Sequence, residues 1–206
     1  MSFSEVYEHF VYQINHTPLL EYVAVVFGIV SVLYSRKENV LVYPTGLINT
    51  SLYTYFCFAW WGLYAEASLN FYYTVMSLYG WYVWTRKNTH SGKTALAITA
   101  SNKNDWVRAL VFFFFSWVAL FFILKQFTRS TVPLGDSFAS ATAYTGMWLM
   151  TRKKLENWIW WILTNLASIP LYFYKGAPLT SFQYIVFLVL AILGYISWKR
   201  KLIHAS

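Results

Sequence analysis

The stretch Trp158-Ile-Trp-Trp-Ile-Leu-Thr-Asn-Leu-Ala-Ser-Ile-Pro-Leu-Tyr-Phe-Tyr174 carries no charge and is flanked by Glu156 and Lys175. Wound as a helix at about 1.5 Å per residue, it reaches across most of the roughly 30 Å of hydrocarbon in a bilayer. Six further stretches read the same way, at Leu19–Ser35, Val40–Gly62, Ala65–Trp84, Trp106–Leu124, Asp136–Met150 and Leu179–Trp198. The sequence therefore predicts an all-α integral membrane protein with seven transmembrane helices. Composition agrees, with 58% apolar, 22% aromatic and 12% charged residues in 206, against roughly 25% charged in an average soluble domain. So few charges cannot cover the surface of a soluble fold, which excludes a cytosolic enzyme, a disordered chain and a secreted disulfide scaffold. The single cysteine, Cys57, permits no intrachain disulfide and no cysteine-built metal site.

Two spans depart from the average in opposite directions. The fifth reads Ser137-Phe-Ala-Ser-Ala-Thr-Ala-Tyr-Thr-Gly-Met147, small and polar. Small residues let helix backbones approach closely, which predicts a place inside the bundle. The fourth, with Phe112 to Phe115 and Phe121–Phe122, is expected to face lipid.

The net charge of +8 is a matter of topology. Thirteen of the 16 Lys and Arg fall on one side of the predicted spans, in the loops after the first, third, fifth and seventh; Lys125, Arg129 and Lys175 fall on the other. By the positive-inside rule the amino terminus is expected outside and the carboxyl terminus in the cytoplasm. Nucleic acid is not an expected partner; membrane lipid is. Residues 1–18 lack the basic start of a signal peptide and are expected to lie on the outer interface.

The chain also compares with itself. Asn49 follows Arg36 at the spacing at which Asn165 follows Arg152, and Gly80-Trp-Tyr-Val-Trp84 is echoed by Gly194-Tyr-Ile-Ser-Trp198. Spans one to three (19–87) and five to seven (134–201) read as copies, joined by a linker and fourth span (88–133), with a short tail at 202–206. One span between the copies gives both the same orientation, a parallel three-plus-one-plus-three repeat.

Ionisable groups inside a membrane are functional by default, and the predicted spans hold almost none. All eight acids lie in loops or within about a turn of a span end, and His9, His16, His90 and His204 lie outside the spans. No haem ligand, retinal lysine, metal cluster or mid-membrane proton carrier is available, and no cofactor is expected. The interior offers amides and aromatic rings instead. Trp158, Trp161 and Asn165 share one face of the sixth span; Asn70, Tyr73, Ser77, Gly80 and Trp84 share one face of the third; Asn49 sits on the second with Thr45. Such faces suit a flat, aromatic, polar-edged solute, and a cationic ring gains further from indole faces. For Trp84 and Trp158 taken singly, an interfacial aromatic belt explains them as well.

These motifs resemble the PnuC family of bacterial vitamin transporters. The resemblance runs from about Leu20 to Lys201, and Trp158-x-x-Trp161-x-x-x-Asn165 is its most specific element. It implies a SWEET-like arrangement of the helices, a homotrimer, and facilitated diffusion of nicotinamide riboside or a related vitamin. It also implies functional coupling to a cytoplasmic vitamin kinase that traps the solute by phosphorylation. Carried over residue by residue, it makes Trp158, Trp161 and Asn165 substrate-binding on the sixth span and Asn70, Tyr73 and Trp84 on the third, with Asn49 a weaker candidate. The nicotinamide riboside carriers of that family have Gln at the place of Asn70, so the shorter amide leaves thiamine, and less readily riboflavin, open. From other classes, a membrane-embedded enzyme is opposed by the lack of a buried acid, base or nucleophile pair, and a receptor subunit by the lack of an appended soluble domain.

Overall fold

A computed structural model describes residues 8, 19–60, 64–87, 96–128 and 130–205. Among the described residues the chain forms seven long helices: α1 (Leu19–Arg36), α2 (Val42–Tyr55), α3 (Tyr64–Thr85), α4 (Lys103–Phe127), α5 (Pro133–Thr151), α6 (Asn157–Tyr174) and α7 (Pro178–Ala205). Each covers one predicted span. The second span does not stay α-helical throughout: after Tyr55 it winds into a π-helical turn, Phe56–Trp60. The expected interfacial segment at 1–18 lies, apart from residue 8, outside the described residues.

The helices turn corners by one repeated device. After α1, Glu38 takes φ 61° and the Glu38 and Asn39 N–H groups donate back to the Ser35 and Tyr34 carbonyls, both at 2.9 Å. After α5, Lys153 takes φ 51° and the N–H groups of Lys153 and Lys154 donate to the Met150 and Leu149 carbonyls at 3.0 and 3.1 Å. After α6, Gly176 does the same at φ 72°. These are Schellman caps, whose left-handed residue is normally glycine; Glu38 and Lys153 accept the strain of roughly 1–2 kcal/mol that a side chain brings there. The fourth helix starts differently, on a capping box in which Asn102 and Asp105 bond each other's backbone N–H at 2.8 and 3.2 Å.

Packing is sequential within α1–α2–α3 and within α5–α6–α7; α1 meets α7, α3 meets α5, and α4 lies against α5. The small residues of α5 place it inside as expected, with Ala141, Thr142 and Thr145 fully buried. The hydroxyls of Thr142 and Thr145 are satisfied by carbonyls of their own helix, one turn back. The fourth helix presents Phe114, Phe115 and Phe122 outward, buries Phe113 against Trp117, Phe138 and Trp160, and lays half-buried Phe112 on Trp148 of α5. Among the described residues three helices are apolar and long enough by themselves to cross a membrane, in the stretches Leu19–Arg36, Lys103–Phe127 and Thr180–His204. In α5 and α6 the polar residues Thr142, Thr145, Asn157, Thr164, Asn165 and Ser168 are buried against protein.

Candidate functional site

The ends of the helices that carry the basic residues form one closed layer, the basic end of the bundle. Trp84, ending α3, is buried and its indole N–H donates across to the Thr151 carbonyl at the end of α5, 3.2 Å away. Trp198, on α7, is completely buried and donates to the Ser35 carbonyl at the end of α1, 3.0 Å away. Each tryptophan thus fastens the third helix of one group to the first helix of the other. Their rings lie 6.1 Å apart, flanked by Tyr43 edge-on to Trp84 at 5.1 Å and Trp158 edge-on to Trp198 at 5.6 Å.

Two glycines make this packing possible. A Cβ on Gly80 would stand 2.3 Å from the Tyr43 ring, and one on Gly194 would stand 2.5 Å from the Trp158 ring. No side chain fits at either place unless the ring moves. Across the same layer Lys153, 3% exposed, puts its ammonium 2.8 Å from Glu38 Oε1 and 4.7 Å above the Trp84 ring. Lys201 reaches the other Glu38 oxygen at 3.1 Å. Burial pushes the Glu38 carboxyl up, but the hydrogen bonds and charges of Lys153 and Lys201 outweigh it and hold the group below the usual carboxylate range. The two residues that carry strained caps are therefore bonded to each other. The segment 96–102 covers the layer: Thr99 exchanges backbone bonds with Lys153 and Leu155, and the Ser101 N–H donates to the Glu156 carboxylate at 2.8 Å.

One to two turns deeper the chemistry changes. Trp161 lies against Gly146 of α5, and both Trp161 and Tyr73 pack on the aromatic layer just described. Tyr73 meets Tyr144 at 5.8 Å and Tyr72 at 5.7 Å, and Tyr72 meets Tyr144 at 4.1 Å. Beyond them Tyr184 stacks on Tyr172 at 5.1 Å and bonds Ser168. Asn165, one turn from both Trp161 and Ser168, is 4% exposed, and its amide bonds no described residue. The enclosed polar atoms without a partner among the described residues lie toward the basic end and along α4 and α6, and include the Tyr43 hydroxyl, Asn157 Oδ1 and the Trp158 and Trp160 indole N–H groups.

The residues singled out by sequence thus separate. Trp161, Asn165 and Tyr73 lie in the middle layer. Trp84 and Trp158 belong to the closed basic end, with their rings against protein. Asn49 is committed elsewhere: its amide donates to the Ala24 carbonyl at 2.7 Å, tying α2 to α1 where Gly28 leaves room. Asn70 is half-buried and stands about 21 Å from Trp84 along α3, so the two do not touch one solute at once. Sequence reasoning gave no role to Tyr144, Tyr172 and Tyr184, which sit among ordinary span residues. It also missed Trp198, although the echo of Gly80–Trp84 in Gly194–Trp198 was the signal that could have found it. Among the described residues no cluster of His, Cys, Asp or Glu could hold a metal ion.

A sequence profile described as "Nicotinamide mononucleotide transporter" matches residues 18–200. The chain is 26% identical over 203 residues to the nicotinamide riboside transporter PnuC of Escherichia coli K12, covering 87% of this chain and 84% of that one. It is 28% identical over 201 residues to the nicotinamide riboside transporter PnuC of Neisseria mucosa, covering 92% and 75%. Its fold is similar to the crystal structure of the vitamin B3 transporter PnuC, with a TM-score of 0.75 over 98% of this chain and 89% of that one, at 23% identity.

Proposed function

The chain belongs to the nicotinamide mononucleotide transporter family and is similar to nicotinamide riboside transporters named PnuC, and from that premise we propose that it carries unphosphorylated nicotinamide riboside. The observation that carries this reading is Asn165, 4% exposed and bonding no described residue, one turn from Trp161 on one side and from Ser168, the partner of Tyr184, on the other. The rings take the pyridinium face. The Asn165 amide bonds the solute's carboxamide or ribose, and Asn70 is the second amide, nearer the other end.

The phosphorylated form is refused on electrostatic grounds. The described cations sit at the two ends of the bundle: Lys153 and Lys201 are engaged with Glu38 at one, and Lys175 with Asp136 at the other. None stands in the middle layer to pair with a phosphate, and an unpaired charge there costs several kcal/mol.

The mechanism follows from the two groups of helices. The paired Trp–carbonyl bonds, the paired glycine–ring contacts and the paired caps at Glu38 and Lys153 support a parallel three-plus-one-plus-three repeat of seven spans. The basic end faces the cytoplasm, with the amino terminus outside. In alternating access one group rocks against the other about the middle layer, and the fastened basic end is the inward gate in its shut position. Transport is facilitated diffusion. A homotrimer, and trapping of the vitamin by a cytoplasmic kinase, complete the reading on the family resemblance.

Purified protein in sealed vesicles, with no ion gradient or nucleotide, tests it with riboside, its phosphate and thiamine in parallel. Equilibration of the riboside and exclusion of the phosphate is the expected result. Preference for thiamine moves the substrate and makes Asn70 the residue responsible; equilibration of the phosphate overturns the charge argument.

A further inference from the structure

A cleft of about 360 Å³ opens at the basic end between α1 and α7, lined by Leu33, Arg36, Lys37, Ser197 and Lys201. Its polar wall is built: the Arg36 Nε–H donates to the Ser197 hydroxyl at 3.0 Å, and Lys201 Nζ donates to the Lys37 carbonyl at 3.2 Å. The carboxylate that reaches this corner is Glu38, bonded by Lys201 on one oxygen and by buried Lys153 on the other. Three cations line the cleft, and the carboxylate beside it is shared between Lys201 and buried Lys153, so among the described residues the corner is net positive. Leu33 gives the cleft an apolar side, and Val26, two turns back on the same face of α1, is exposed in the same direction.

A ligand that fits has an anionic head at the level of the helix ends and an apolar tail that descends along α1. We propose that this cleft binds the phosphodiester headgroup of an anionic phospholipid, in the leaflet at the basic end. Basic pockets between transmembrane helices are suited to such headgroups because cations there act through the low dielectric of the interface. A soluble phosphate would meet the same cations but gain nothing from the Leu33–Val26 stripe.

Native mass spectrometry of the full chain in detergent, offered phosphatidylglycerol and phosphatidylcholine of identical acyl chains, tests the site. The expected result is preferential retention of phosphatidylglycerol, reduced roughly tenfold in the double variant Arg36→Gln/Lys37→Gln. A control pair, Arg86→Gln/Lys103→Gln, removes the same charge outside the cleft and should retain the preference. Equal retention of the two lipids overturns the proposal, as does an equal loss in the control, which would reduce the effect to general surface charge. Displacement of the lipid by millimolar inorganic phosphate would make this a soluble-anion site and overturn the lipid assignment. Should loss of the Arg36–Ser197 bond unfold the double variant, Lys37→Gln alone is read in the same way, since Lys37 is exposed.

Discussion

The basic end and the middle layer are made of the same residue types and use them in opposite ways. At the basic end two indoles and an ammonium group are spent on protein, Trp84 on Thr151, Trp198 on Ser35 and Lys153 on Glu38, while the Trp158 N–H is enclosed without a partner among the described residues. One turn or two deeper, Asn165 is as well buried as Trp84 and bonds no described residue. Burial alone therefore does not separate scaffold from site. What differs is the bond across helices: Trp84 and Trp198 each reach a carbonyl of the other helix group, and the Asn165 amide reaches none among the described residues. On the function proposed above, the basic end holds or releases as a unit and the middle layer bonds the solute.

The contrast breaks most sharply at Lys153. Lys153→Gln leaves Glu38 in a half-buried corner with Lys201 as its remaining ammonium partner and removes the cation above Trp84. It is expected to cost about 3 kcal/mol, read as a fall in melting temperature in detergent. Lys201→Gln removes a more exposed partner of the same carboxylate and is expected to cost less than about 1 kcal/mol. Equal, small losses would mean that the basic end is not held by its buried charge.

Next in size is the comparison of two asparagines. Asn165→Ala is expected to lower riboside uptake by roughly ten- to a hundredfold, the worth of a hydrogen bond made to the solute, with the melting temperature unchanged. Asn49→Ala breaks the bond to Ala24 and is expected to do the reverse, costing about 1 kcal/mol of stability while uptake persists. Normal uptake by Asn165→Ala would remove it from the site.

That pair also marks how far the sequence could be read. The apolar runs located all seven helices, and the small residues of Ser137–Met147 placed α5 inside, because hydrophobic patterning reports burial directly. The ends were less legible. The seventh helix continues to Ala205, past Trp198, because Lys199, Arg200 and Lys201 are good helix formers and stay helical beyond the apolar stretch. The matched spacing of Asn49 and Asn165 suggested equivalent roles, but counted from the caps at Glu38 and Lys153 it is Thr50, not Asn49, that falls level with Asn165. A one-residue slip turns a helix by about 100°, enough to point one amide at a neighbouring carbonyl and leave the other for a ligand. Which carbonyl an indole reaches is likewise a property of two helix ends meeting, and no local pattern encodes it.

The smallest expected effect is that of pH on the basic end, and its sign is fixed by Glu38. Partial burial alone would raise this carboxyl, yet Lys153 and Lys201 hold it below the ordinary value of about 4.3. A group lowered in the folded state binds its proton less readily there than when unfolded, so its contribution is complete above the unfolded value. That contribution is lost as pH falls through the lowered folded value. Wild-type protein is therefore expected to lose stability on acidification from about pH 5 to pH 3 more steeply than Glu38→Gln, which has no charge to lose at that position. Other carboxylates titrate in the same window, so the informative quantity is the difference between the two curves. Parallel curves would show that Glu38 contributes no pH-dependent hold on the basic end, and would leave the two indole–carbonyl bonds to fasten it.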